Sequence, residues 1–131
     1  MRCDICNKEI VGYEHNAWPM GDGKCCTECD DKYVVPLRIF LTGIMNDRIL
    51  ILDAVKNEIS FEKISDELTL KKAQNIVEGY IELYPVKDDN FYFIVNEEGI
   101  IKKLKENKLA YQIFGLEVLG NMIVCPKGLF K

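Results

Sequence analysis

Cys3-Asp4-Ile5-Cys6 opens the chain, and Cys26-Thr27-Glu28-Cys29 follows after nineteen intervening residues. Two CxxC pairs at that separation are the pattern of a four-thiolate zinc site. The spacing has a mechanical reason: two residues between cysteines allow a tight turn that aims both sulfurs at one ion. Each pair then supplies two corners of a tetrahedron. Cys3, Cys6, Cys26 and Cys29 are therefore the expected ligands of one structural Zn²⁺. A reducing compartment disfavours the alternatives, a disulfide pair or a redox CxxC. Cys25 adjoins Cys26, but only Cys26 keeps the CxxC spacing to Cys29. Cys25 is expected either to face away or to exchange into the site. Asn7, just after the first pair, suits the left-handed backbone that such a turn needs. His15 is the sole histidine, so it can at most replace one thiolate. A closed four-cysteine site leaves no open position for water, which makes the metal a staple.

Around this cluster the composition is that of a globular protein. The chain has 131 residues, 48% of them hydrophobic and 29% charged, enough for one ordinary domain or two very small ones. Net charge is −4, so no basic field steers it to nucleic acid. No apolar run reaches the ~18–20 residues that span a bilayer. Met1-Arg2-Cys3-Asp4 lacks an apolar signal core. A cytoplasmic protein with no membrane partner is expected. Lys8, Lys24 and Lys32 lie near the cysteines and read as solvated surface lysines.

Between the cysteine pairs, Ile10–Tyr13 and Ala17–Met20 read as short strands and Gly21-Asp22-Gly23 as a turn. After Cys29, Val34, Leu37, Leu41 and Ile44 recur at helical spacing, with Asp30 and Asp31 at the helix start. Pro36 should kink or restart that helix. The pattern describes a zinc-ribbon or treble-clef-like module over residues 1–46, with Met45 at the boundary. Residues 47–131 read as a small α+β domain with a mainly antiparallel sheet. Its expected strands are Ile49–Leu52, Ile59–Phe61, Tyr80–Tyr84, Phe91–Val95 and Met122–Cys125. Leu70, Ala73, Ile76 and Val77 form one helical face, with Thr69 capping its start and Gly79 its end. Leu104, Leu109 and Ile113 suggest a second helix. Asn96-Glu97-Glu98-Gly99 is a turn from which Ile100-Ile101 returns the chain.

Two resemblances follow from these motifs. Cys3-x-x-Cys6, His15-Asn16-Ala17-Trp18-Pro19, Gly23-Lys24-Cys25-Cys26, Cys29 and Val35-Pro36-Leu37-Arg38 resemble small zinc modules of bacteriophage and mobile-element proteins. Ile49 to Asp53, Gly79-Tyr80-Ile81-Glu82, Asn96-Glu97-Glu98-Gly99, Asn107 to Tyr111 and Gly120 with Ile123-Val124 resemble the family known as domain of unknown function 3846. The sequence departs from that family at Lys108, where arginine is usual, and in a shorter tail. The resemblance implies a phage or mobile-element setting in a bacterial host, and no reaction.

The residues themselves offer little chemistry beyond the metal. Asp53, Glu82, Glu97 and Glu98 are candidate acid–base carboxylates, but Glu97 and Glu98 sit in a turn where solvated carboxylates are ordinary. There is no Ser-His-Asp set, phosphate loop or dinucleotide fingerprint. Cys125 lies in an apolar run and reads as a buried thiol. Lys102, Lys103, Lys105 and Lys108, with Phe91, Tyr92, Phe93 and Tyr111, are the one candidate for single-strand binding. Alternation places half of those aromatics in the core. Tyr80 and Tyr84 share a strand face with Glu82 and offer a recognition surface. The expected function is non-enzymatic: an interaction or accessory protein, an anti-defence role included, with a host or phage protein as partner. A nucleic-acid-binding accessory protein is one alternative, and a carboxylate-pocket enzyme or small-molecule binder is the other.

Overall fold

A computed structural model describes residues 1–44 and 46–130. Met45, at the expected boundary, lies outside the described residues. The chain divides into two compact units, Met1–Ile44 and Met45–Lys131.

The first unit is built on the cysteine turns. The Asn7 N–H donates to the Cys3 carbonyl at 2.9 Å and the Cys3 N–H to the Lys8 carbonyl at 2.8 Å. Closing so tight a loop puts Asn7 in the left-handed region, at φ 61°, where asparagine is tolerated. The Asp4 N–H donates to the Lys24 carbonyl at 2.9 Å, which ties this turn to a small hairpin. In the hairpin β1 (His15–Asn16) pairs antiparallel with β2 (Lys24–Cys25). The strands expected at Ile10–Tyr13 and Ala17–Met20 do not form. Residues 17–20 instead close a turn, the Met20 N–H donating to the Ala17 carbonyl at 2.9 Å. Pro19 has no N–H to give a ladder, and the pairing falls on the residues flanking the turn.

Helix α1 runs over 27–41, three residues earlier than its acidic pair suggested. Cys26 is its N-cap. Its α-helical turns at Thr27–Cys29 and Val35–Leu41 flank a wider π-helical stretch, Asp30–Val34. Pro36 accounts for the interruption. It lies in the first turn of the resumed α-helix, where its missing N–H costs nothing, and the preceding Val35 N–H reaches back to the Asp30 carbonyl. Val34, Leu37 and Phe40 are buried, whereas Ile44 lies beyond the helix and is 80% exposed.

The second unit is α+β. One five-stranded sheet has the order β4-β3-β7-β6-β5, from β3 (Arg48–Asp53), β4 (Glu58–Lys63), β5 (Ile81–Leu83), β6 (Phe91–Asn96) and β7 (Met122–Pro126). Every neighbouring pair is antiparallel. Alternation gives each strand two faces, and both are covered. Ile49, Ile94, Ile123 and Cys125 pack with Ala73 and Val77 of helix α2 (Leu70–Val77). On the opposite face Phe93 meets Phe114, at the end of helix α3 (Lys108–Phe114), edge to face at 5.1 Å.

Three asparagines close the gaps between these layers. Asn107 is 1% exposed. Its amide donates to the Leu52 and Gly120 carbonyls at 3.0 and 2.9 Å, and its oxygen accepts the Ala110 N–H at 3.0 Å, capping α3. Asn121 accepts from the Ala54 N–H and donates to the Ile76 carbonyl. Asn96 donates to the Val77 carbonyl at the end of α2. Thr69 caps α2 as expected, but its left-handed terminal residue is Glu78, at φ 63°, rather than Gly79. Glycine is needed next because a Cβ there would lie 2.7 Å from the Asn96 amide nitrogen. Leu104 lies outside α3, and Ile100 and Ile101 stay in an exposed turn; the returning strand is β7.

Candidate metal centre

Two elements deliver the four sulfurs. The first turn supplies Cys3 and Cys6, and the start of α1 supplies Cys26 and Cys29. Their Sγ atoms all lie within 4.8 Å of one another, with Cys6 and Cys26 at 3.9 Å. A tetrahedral ion with metal–sulfur bonds of about 2.3 Å places its sulfurs about 3.8 Å apart, so the arrangement fits a metal ion. Cys3 and Cys29 are buried, Cys26 is half-buried and Cys6 is exposed. The centre therefore has one wet side.

The clustered thiols perturb one another. Burial pushes the Cys3 thiol up, but N–H groups of Cys6, Cys26 and Ile5 outweigh it and bring Cys3 down to about 6. Two of those contacts, from Ile5 and Cys6, are 3.4 and 3.5 Å long. Cys29 is raised, by burial first and then by hydrogen bonding to the other three thiols. Four sulfurs this close can all ionise only around a positive charge.

Surrounding residues hold the frame. The Asp4 carboxylate accepts the Gly23 N–H at 2.7 Å, and a Cβ at Gly21 or Gly23 would run into that side chain. Arg38 of α1 donates to the Trp18 and Asn16 carbonyls at 2.8 and 2.9 Å, pinning the hairpin loop to the helix. Cys25 is not one of the four clustered sulfurs; its thiol lies 4.0 Å from the Asn16 carbonyl. Burial, then the nearby Asp30, pushes it up to about 11. His15 does not join the sulfurs. Its Nδ1 lies 3.2 Å from Asp30 and its Nε2 3.0 Å from the Thr27 hydroxyl, so both nitrogens are engaged. Lys8 and Lys24 are exposed, and Lys32 lies over the Tyr33 ring.

The other candidates disperse. Asp53 binds the Lys56 N–H and lines a small cavity of its own. Glu82 and Glu97 line a different, larger groove with Tyr84 and Tyr111, and Glu98 is not among its lining residues. Tyr80 faces another shallow depression, with Lys102. Phe91 and Phe93 are buried and Tyr92 is half-buried, which leaves Tyr111 as the one exposed ring of the four. Cys125 is fully buried.

A family model described as a domain of unknown function, DUF3846, matches residues 45–128. The chain belongs to the DUF3846 family. The matched region spans the whole five-stranded sheet with α2 and α3, so the cysteine unit precedes the DUF3846 domain. No curated protein and no solved structure matches the chain.

Several site features were not visible in sequence reading. Gly21 and Gly23 beside Asp22 marked a turn, but nothing local showed that it clasps Asp4. Arg38 stood only as the last residue of the Val35-Pro36-Leu37-Arg38 motif, with no sign that it reaches the Trp18 and Asn16 carbonyls. Glu106 and Glu117 join Glu82 and Glu97 only through the fold.

Proposed function

We propose that the protein is a non-enzymatic interaction protein whose N-terminal unit is stapled by one Zn²⁺ held by Cys3, Cys6, Cys26 and Cys29. The convergence of these four thiols carries the reading. Four thiolates close the coordination sphere, and zinc suits that soft tetrahedral donor set. The ion supplies folding energy to a unit too small for a self-sufficient core. The chain's own residues do the rest: Asp4 and Arg38 hold the hairpin against the cysteine turns, and Trp18, Val35 and Ile39 stay exposed for contact.

The DUF3846 domain is the second contact surface, for a host or phage protein partner. A cytoplasmic accessory role in a phage or mobile-element setting, including an anti-defence role, is supported by the sequence resemblance alone. No helix among the described residues is long and apolar enough to cross a membrane. The dispersal of Asp53 away from Glu82 and Glu97 weighs against a carboxylate-centred reaction. The acidic balance and the buried phenylalanines weigh against nucleic acid.

Native mass spectrometry of the full chain, purified without chelator, tests this. One zinc per chain and no retained small molecule is the expected result. A retained metabolite or nucleotide would overturn the interaction reading, and a metal-free or iron-bearing chain would overturn the zinc assignment.

A further inference from the structure

A groove of the DUF3846 domain lies between edge strand β5, the turn after β6 and helix α3, and has a volume of about 910 Å³. Four carboxylates line it: Glu82, Glu97, Glu106 and Glu117. All four are exposed, none is engaged in an ion pair among the described residues, and no lysine, arginine or histidine lines the groove. The rest of its lining combines Tyr84, Asn96 and Asn107 with apolar side chains. Ile100 and Ile101 are 83% and 79% exposed and Tyr111 is 60% exposed, beside the buried Val118.

We propose that this groove docks a basic, apolar peptide segment of the partner protein, lysines or arginines reaching the four glutamates and aliphatic side chains covering Ile100, Ile101 and Tyr111. The proposal rests on the interaction reading above and specifies the partner's chemistry. Charge complementarity selects the occupant. Carboxylates that share a groove and make no ion pair among the described residues attract cations, while isoleucines left in water gain by being covered. A polyamine satisfies only the first demand and a neutral apolar peptide only the second. The size fits a segment rather than a whole face, since about 300–1,000 Å³ is the range of compact ligand sites.

The test is fluorescence anisotropy of the full chain with a labelled short peptide of alternating lysine and leucine, with amide shift mapping by NMR. Glu82, Glu97, Glu106 and Glu117 changed together to Gln should weaken binding by at least about tenfold. A charge-matched control, Glu28→Gln, Glu58→Gln, Asp66→Asn and Glu67→Gln, should change it by less than about twofold, because those residues lie outside the groove. Two double variants, Glu82→Gln with Glu97→Gln and Glu106→Gln with Glu117→Gln, each give a partial loss should the quadruple variant fold poorly. Shifts should map to 82–84, 97–101 and 106–119. Equal loss in the control would overturn the proposal as bulk charge. So would a lysine–glycine peptide or spermine binding as tightly, or the absence of binding to the unaltered chain. A failed peptide leaves the native mass spectrum unchanged, whereas a retained metabolite sinks the interaction reading whatever the peptide does.

Discussion

Cys25 and Cys26 are adjacent yet chemically opposite. Cys26, in extended backbone at the N-cap of α1, has its sulfur in the cluster, whereas Cys25 is 0% exposed and packs with Ala17 and Val34. Cys26→Ser should release the metal and Cys25→Ser should retain it, read as zinc per chain by elemental analysis. The reverse result would reassign the ligand. Cys125 offers a second test at this scale. Burial pushes its thiol from 9.0 up to about 12, so the folded chain keeps a proton that the unfolded chain releases. Its contribution to stability is whole below about pH 9 and is lost as pH rises toward 12, by at most about 1.4 kcal/mol per pH unit. Urea unfolding of the DUF3846 domain at pH 8, 9 and 10 should show a downward slope that is shallower in Cys125→Ala.

Helix caps differ in consequence according to what else they hold. Thr69 caps α2 with one bond from the Lys72 N–H, and Thr69→Ala should cost about 1 kcal/mol. Asn107 caps α3 and also satisfies two buried carbonyls on other elements. Asn107→Ala should therefore cost about 2–4 kcal/mol, the cap plus the desolvated partners. Urea midpoints of the two variants check the ordering, and similar costs would mean that the Leu52 and Gly120 carbonyls find water. The existence of these helices was legible from spacing, but Asn107 was visible only as part of a family motif. Its two carbonyl partners lie 55 and 13 residues away, beyond any local pattern. The strands expected at Ile10–Tyr13 and Ala17–Met20 failed for the same reason: pairing is decided by what lies across the ladder, and apolar residues alone do not supply it.

Across the whole molecule the two units draw on different sources of stability. The cysteine unit has a small cluster around Cys3, Ala17, Cys25, Cys29 and Val34, whereas the DUF3846 sheet is covered on both faces. Chelation should unfold the first and spare the second. Trp18, the sole tryptophan, reports on the first unit, while tyrosine and phenylalanine bands report mainly on the second. On adding chelator, the near-ultraviolet circular dichroism of Trp18, which is already 56% exposed but still packed on one side, should be lost, and the urea midpoint of the second unit should hold. A coincident loss of both signals would show that the DUF3846 domain depends on the metal.

The sequence by itself determined what short-range chemistry can determine: the four cysteines, the left-handed turn at Asn7, the Thr69 cap, the position of the sheet strands and the α+β class. Each depends on spacings of a few residues, or on the repeat of a turn that aims two sulfurs at one point. Tertiary structure alone decided the strand order and which carboxylates share a groove. Glu82 sits in the middle of β5 and Glu97 just after its neighbour β6, while Glu106 and Glu117 arrive on the segments flanking α3. Asp53, equally plausible in sequence, is carried elsewhere. Strand pairing is non-local, so which side chains meet depends on how the strands are ordered and which helix covers each face of the sheet.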